Sequence, residues 1–220
     1  MLKRVAAVAA LSLLPVAAAP APAQAAGTCT ISVPSTVSVT KPYRTITATY
    51  SSGCRKYADE AWWDVVHPRQ GPVDFFDFEG TSKRTIDWYD WNPRGTYTVR
   101  AAGAWDDDFT KMTQNSPKMT VKLGSKLGIS TSRSGSYVTV RGTATRYTPT
   151  WERFRSWSGA SVSLYSKSCS SCSWKRVTTT KTNSTGKVTV KTKASSARYW
   201  KITTASSSNT WGKTSATLRR

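Results

Sequence analysis

From residue 28 onward the sequence is written in short runs whose apolar and polar residues alternate. Lys187-Val188-Thr189-Val190-Lys191-Thr192-Lys193 is the plainest, and residues 136–144 and 160–167 follow the same rule. A period of two sends successive side chains to opposite faces of a strand, so each run presents one apolar and one polar face. Long Leu-rich stretches are absent after residue 20, which argues against a helical bundle, and Ser and Thr are abundant throughout. Aromatic residues make up 11% of the 220 positions and include ten Trp, enough for a packed core and too many for a globally disordered chain.

In the second half the runs fall at 126–132, 136–144, 160–167, 174–180, 187–193, 198–204 and 211–218. Turn signals such as Asn183-Ser184-Thr185-Gly186 and Ser206-Ser207-Ser208-Asn209 separate them. Seven short strands in about 95 residues is the pattern of an immunoglobulin-like sandwich. One longer connection, 147–158, carries Trp151, Phe154 and Trp157 and has room for a helical turn or an ordered loop. The first half parses similarly, into strands at 36–40, 44–51, 60–67, 73–78, 83–87, 96–102 and 118–123. Gly95-Thr96-Tyr97-Thr98-Val99 has the form of a tyrosine corner at the start of a late sandwich strand. The expected fold class is therefore all-β, with two tandem immunoglobulin-like β-sandwich domains at 27–123 and 125–220. Lys122-Leu123-Gly124-Ser125 is the linker, short enough that the domains should abut.

The first 26 residues read as an address. Met1-Leu2-Lys3-Arg4 is a basic start, residues 5–19 are apolar, and Ala23-Gln24-Ala25 is an Ala-x-Ala cleavage site. Pro15, Pro20 and Pro22 interrupt the apolar run and disfavour a membrane anchor, and no later segment is apolar enough to span a bilayer. The expectation is an extracellular product, associated with the cell wall or free of it. Export also places the four cysteines in an oxidising compartment, so two disulfides are expected. Cys29 and Cys54 lie together in the first half, and closing their loop would stabilise the fold by about 3–4 kcal/mol. Cys169-Ser170-Ser171-Cys172 sits in a Ser-rich turn and not at a helix start, so it reads as a loop staple in preference to a redox motif or a zinc site.

Charge divides the chain. The formal net charge is +20, yet residues 27–124 hold 12 basic and 11 acidic side chains, whereas residues 125–220 hold 18 basic ones and a single acid, Glu152. Strand alternation turns Arg141, Lys167, Lys187, Lys191 and Lys193 outward, in Thr/Lys rows on sheet faces. Lysine on sheet faces and edges guards against aggregation, but a net +17 exceeds that need and favours a polyanionic partner. Tyr137, Tyr165, Trp174, Tyr199, Trp200 and Trp211 are interleaved with the charge, as in nucleic-acid binders. No RNP, helix-turn-helix or finger pattern accompanies them, and an exported protein meets anionic envelope polymer first. No specific nucleic-acid partner is expected.

The acids of the first half group at Asp59, Glu60 and Asp64, at Asp74, Asp77 and Glu79, at Asp87 and Asp90, and at Asp106, Asp107 and Asp108. Carboxylates so placed could be a solvated acidic surface, a Ca²⁺ site centred on Asp106, Asp107 and Asp108, or the acid and base of a glycoside hydrolase. His67 has no Cys or second His with which to hold a metal, and a structural or surface role is expected. In Trp62-Trp63 and Trp88-Tyr89-Asp90-Trp91, alternation sends one Trp of each group inward and leaves a neighbour outward, for a sugar or for a domain interface.

The chain resembles the tandem immunoglobulin-like secreted proteins of actinobacteria, some of them labelled calcium-binding. The resemblance rests on Asp87-Trp88-Tyr89-Asp90-Trp91, Gly95-Thr96-Tyr97-Thr98-Val99-Arg100, the 114–122 stretch, Cys169-Ser170-Ser171-Cys172-Ser173-Trp174 and Thr210-Trp211-Gly212-Lys213-Thr214-Ser215, and spans nearly all of residues 27–220. It implies the double sandwich and brings no catalytic residues. The sequence thus reads as a non-enzymatic secreted protein that needs no cofactor and binds an anionic cell-wall polymer or polysaccharide through its basic half. A calcium-binding module and a glycoside hydrolase are the alternatives.

Overall fold

The computed structural model describes residues 27–220; the expected signal peptide, residues 1–26, lies outside the described residues. The first half contains β1 (Thr28–Cys29), β2 (Ile31–Ser32), β3 (Thr36–Val39), β4 (Tyr43–Tyr50), α1 (Ser52–Tyr57), β5 (Glu60–His67), β6 (Gly71–Phe78), β7 (Lys83–Tyr89), β8 (Gly95–Trp105), β9 (Thr113–Gln114) and β10 (Lys118–Leu123). β3, β10, β8, β5 and β6 form one sheet in that order, and β2, β4 and β7 form a second. The alternation of β5 is strict: Ala61, Trp63, Val65 and His67 are buried and the residues between them are not. Trp63 meets Tyr50 of the smaller sheet at 5.7 Å, and Trp88 of that sheet meets Tyr97 edge-on at 5.1 Å, which closes one core between the two sheets. Tyr97 Oη donates to the carbonyl of Pro93 at 2.5 Å, the geometry of a tyrosine corner.

The second half contains β11 (Ser125–Ser134), β12 (Tyr137–Thr148), a 3₁₀ turn at Pro149–Trp151, β13 (Arg153–Ser156), β14 (Ser161–Lys167), β15 (Lys175–Lys181), β16 (Lys187–Lys193), β17 (Tyr199–Thr204) and β18 (Leu218–Arg219). In one sheet β12 pairs with β11 along one edge and with β13 and β16 along the other; the facing sheet runs β15-β14-β17-β18. Val138, Val140, Val162, Leu164, Val188, Trp200 and Ile202 fill the space between them. All strands of this half lie in two facing sheets with antiparallel pairings, so the chain is all-β with immunoglobulin-like sheet order.

Two segments differ from expectation. The 147–158 connection holds both a 3₁₀ turn and a strand, because Arg153–Ser156 folds back to pair with residues 145–148 of β12. Residues 211–218 are not one strand. β18 and the stretch around Thr214 pair with β17, while Trp211 crosses to the first half: its backbone N–H donates to Leu123 O at 2.9 Å and its indole Nε1–H to Val37 O at 2.8 Å. The segment alternates like a strand but divides its partners, with Trp211 on β10 and β3 and the later residues on β17. Gly124 alone separates β10 from β11. A Cβ there would lie 2.4 Å from Thr40 Cγ2 and 2.8 Å from Ser38 Oγ, a space that only glycine fits.

Candidate functional site

Eighteen cations and one acid leave the second half with almost nothing to neutralise it. The three ion pairs among the described residues all lie in the first half: Arg84 with Asp77 and with Glu79, and Arg100 with Asp64, each at 2.8 Å. The ammonium and guanidinium groups of the second half thus have no carboxylate partner among the described residues, and their placement follows the strand registers.

On the sheet containing β12 and β16, Tyr137 stands opposite Lys193, Thr139 opposite Lys191, Arg141 opposite Thr189 and Thr143 opposite Lys187. Val138, Val140 and Val188 take the inner face, so these eight residues share the outer one. Arg141, Lys187, Lys191 and Lys193 are thereby brought onto one surface. Arg141 Nη1 donates to Ser132 Oγ on β11 at 3.2 Å, and Lys191 Nζ lies 4.9 Å from the centre of the Tyr137 ring.

Lys167 is elsewhere. It lies on β14, on the outer face of the opposite sheet, among the expected aromatic residues Tyr165, Trp174 and Tyr199 and three cations that the sequence did not single out, Lys201, Arg176 and Arg219. Tyr165 stands opposite Lys201, and Lys167 opposite Tyr199, so two antiparallel strands set an aromatic ring against a lysine twice, in crossed positions. Lys167 Nζ lies 5.5 Å from the Tyr199 ring and Lys201 Nζ 5.8 Å from the Tyr165 ring. Both ammonium groups also meet the Trp174 ring, at 5.0 and 4.4 Å. Arg219 of β18 adds a guanidinium 5.8 Å from Tyr199, and Arg176 of β15 pairs with Tyr165. Each ring draws a cation by its negative face and takes up the aliphatic stem, so the charges are held in place in advance. The signal was present in the sequence as two copies of one short pattern, Tyr165-Ser166-Lys167 and Tyr199-Trp200-Lys201.

Both cysteine pairs are disulfides. Cys29–Cys54 is buried and ties β1 to α1, and Cys169–Cys172 staples the exposed turn after β14.

Five of the acids are engaged by a basic or phenolic partner. Asp64, Asp77 and Glu79 hold arginines as above, Asp87 accepts from Tyr43 Oη at 2.7 Å, and Asp90 accepts from Tyr147 Oη. Asp74 is half-buried, and that burial chiefly lifts its carboxyl above the usual range, with the Asp87 charge adding to the effect and the Phe75 N–H opposing it. Asp106 Oδ1 accepts from the backbone N–H of Asp108 at 3.1 Å and of Thr110 at 2.8 Å, closing its own turn, while Asp107 and Asp108 are exposed. Among the described residues no three His, Cys, Asp or Glu side chains gather as a metal-holding group. His67 is buried, with its ring 5.1 Å from that of Tyr97. Trp63 and Trp88 are buried, whereas Trp91 is 70% exposed and stacks on Tyr89 at 4.3 Å. Among the described residues no helix is long and apolar enough to cross a membrane.

No protein-family model matches the chain, and no curated protein does. Among solved structures, the D00-D0 domain of intimin is 14% identical, over 87% of this chain and 98% of that one, with a TM-score of 0.30. A DUF3823 family protein from Bacteroides uniformis is 9% identical over 88% and 98%, with a TM-score of 0.33. Three N-terminal domains of the outer capsid protein Hoc of bacteriophage RB49 are 12% identical over 88% and 68%, with a TM-score of 0.30. At such scores these likenesses add nothing to the architecture read from the strands themselves.

Proposed function

We propose that the chain is a secreted, non-enzymatic protein of two sandwich domains, 27–123 and 125–220, whose basic second domain binds an anionic cell-envelope polymer or polysaccharide. The observation that carries this reading is the array of Lys167, Lys201, Arg176 and Arg219 on one outer sheet face, without an ion pair among the described residues and set among Tyr165, Trp174 and Tyr199. The Arg141, Lys187, Lys191 and Lys193 face supplies a second contact for a chain long enough to wrap the domain. A regular polyanion suits two cationic faces because each further charge adds attraction without a new pocket. Arginine or tyrosine partners already hold Asp64, Asp77, Glu79, Asp87 and Asp90, which supports a binding role over hydrolysis by those carboxylates.

The test is equilibrium binding of the secreted chain to polygalacturonate and to purified anionic wall polymer, with uncharged dextran as control, over a salt series. Binding to both polyanions that weakens steeply as salt screens the faces is the expected result. Failure to bind either at low salt, binding indifferent to salt, or equal binding to dextran overturns the proposal.

A further inference from the structure

Three aromatic rings of the first half line an open cavity at one end of its larger sheet. Trp62 of β5 and Trp105 of β8 meet with ring centres 5.2 Å apart and planes tilted by 44°. Gly103 makes that possible: a Cβ there would fall 2.1 Å from Cη2 of the Trp105 ring, so a larger residue would drive the indole off its place. Phe109, 85% exposed at the tip of the turn closed by Asp106, gives the third ring and adopts φ +56°, a left-handed conformation unusual for an aromatic residue. These rings, with Asp59, Glu60 and Asp106, line a cavity of about 250 Å³.

The chemistry of the lining selects the sign of the ligand. Three aromatic rings and three acidic residues share the lining, carboxylates only accept hydrogen bonds, and no basic side chain lines the cavity. Asp59, Glu60 and Asp106 take part in no ion pair among the described residues. A neutral sugar could lie on the rings and donate its hydroxyls to the carboxylates, but it would leave their negative charge without a counter-charge. A calcium ion would need six to eight oxygens, and aromatic walls supply none. A cation with an apolar body and N–H donors satisfies every wall: its methylenes lie against the rings and its N–H groups reach the carboxylates. We propose that this cavity binds an alkylammonium group. The site is independent of the polymer-binding reading above.

The test is a titration of the ¹⁵N-labelled secreted chain with n-butylammonium chloride, following the indole N–H resonances of Trp62 and Trp105. Sodium chloride and n-butanol at equal concentration are the controls. Saturable shifts with the ammonium alone are expected. Phe109→Ala should weaken binding by about two- to five-fold, the worth of one exposed cation–π contact. Asp59→Asn with Glu60→Gln, two exposed positions whose exchange leaves the core intact, should weaken it at least as much. N-acetyl-lysine methylamide run in parallel separates the two sources: binding as tight as that of butylammonium assigns the site to lysine side chains of a partner, and weaker binding to free amines. No saturable shift, equal shifts with n-butanol, or unchanged affinity in the carboxamide variant overturns the proposal.

Discussion

Tyr147 donates its phenolic hydrogen to Oδ2 of Asp90 across 2.7 Å, with both residues buried. Tyr147 belongs to β12, yet it is buried in the first-half core, and Phe154 of β13 packs edge-on to its ring at 5.9 Å. The bond therefore joins the two halves where water is excluded. Removing the hydroxyl leaves a buried carboxylate without that donor, so Tyr147→Phe should cost about 1–3 kcal/mol. Asp90→Leu combined with Tyr147→Phe should recover much of the loss, since neither polar partner then remains buried. Urea unfolding of the single and double variants measures the coupling, and strictly additive losses would contradict it.

Three phenols respond to burial in the same direction. Tyr50, Tyr97 and Tyr147 are each held above the ordinary tyrosine value, first by desolvation. Folding thus favours their protonated form. The contribution is complete below the unfolded value near pH 10 and declines as pH rises above it, because only the unfolded chain then releases protons readily. Thermal unfolding between pH 9 and 12 should fall from about pH 10 upward, by up to about 1.4 kcal/mol per pH unit for each such group. Tyr97→Phe, though less stable overall, should fall less steeply; an equal slope would show that Tyr97 does not contribute.

The disulfides should differ in both energy and accessibility. Cys29 and Cys54 are fully buried and lie 25 positions apart, whereas Cys169 and Cys172 lie 3 apart in an exposed turn. Loop-closure entropy gives about 3.5 kcal/mol for the longer loop and about 2 kcal/mol for the shorter. Replacing the first pair by serine should therefore destabilise more than replacing the second. Dithiothreitol under native conditions should reduce Cys169–Cys172 first, as read by alkylation and mass spectrometry.

Gly124 offers a local test of the junction. Its amide donates to Val39 O at 2.7 Å and its carbonyl accepts from Tyr147 N at 2.8 Å, so the residue cannot move freely when crowded. Gly124→Ala presses a methyl onto Thr40 Cγ2 and Ser38 Oγ, and overpacking of this kind costs about 1–3 kcal/mol. Thr40→Ser removes the nearer atom and should restore part of the loss in a melting experiment. No restoration would place the strain elsewhere.

Much of this structure could be read from local pattern, and the remainder depended on partners that a pattern does not name. Val138, Val140, Val162 and Leu164 were legible as inward because alternation alone decides a strand's faces. Tyr97 was legible because its corner is built from residues 93–97. Which strand lies beside which is a long-range matter, and for that reason Lys167 could not be separated from Lys187, Lys191 and Lys193, nor Lys201 and Arg219 placed next to it. Trp211 shows the same limit: its run alternates like a strand, but its hydrogen bonds go to Leu123 and Val37, far away in sequence. The Trp62, Trp105 and Phe109 cavity was hidden likewise, since the two indoles become neighbours only through the pairing of β5 with β8.

Trp174 separates two accounts of the basic surface. If charge alone drew the polymer, the indole would be dispensable, because Trp174→Ala leaves every cation in place. In the structure Lys167 and Lys201 both lie over that ring, at 5.0 and 4.4 Å, so its removal takes one restraint from each, leaving Lys167 with Tyr199 and the Ser170 carbonyl and Lys201 with Tyr165. Binding must then fix them again, at about 0.5–1.5 kcal/mol for each immobilised side chain. Trp174→Ala should therefore weaken polyanion binding about five-fold or more while leaving its salt dependence as it was, and Trp174→Phe should recover part of the affinity. Lys167→Ala with Lys201→Ala should lower both the affinity and the steepness of the salt dependence. Unaltered affinity in Trp174→Ala would mean that the rings do not organise the site and that net charge is sufficient.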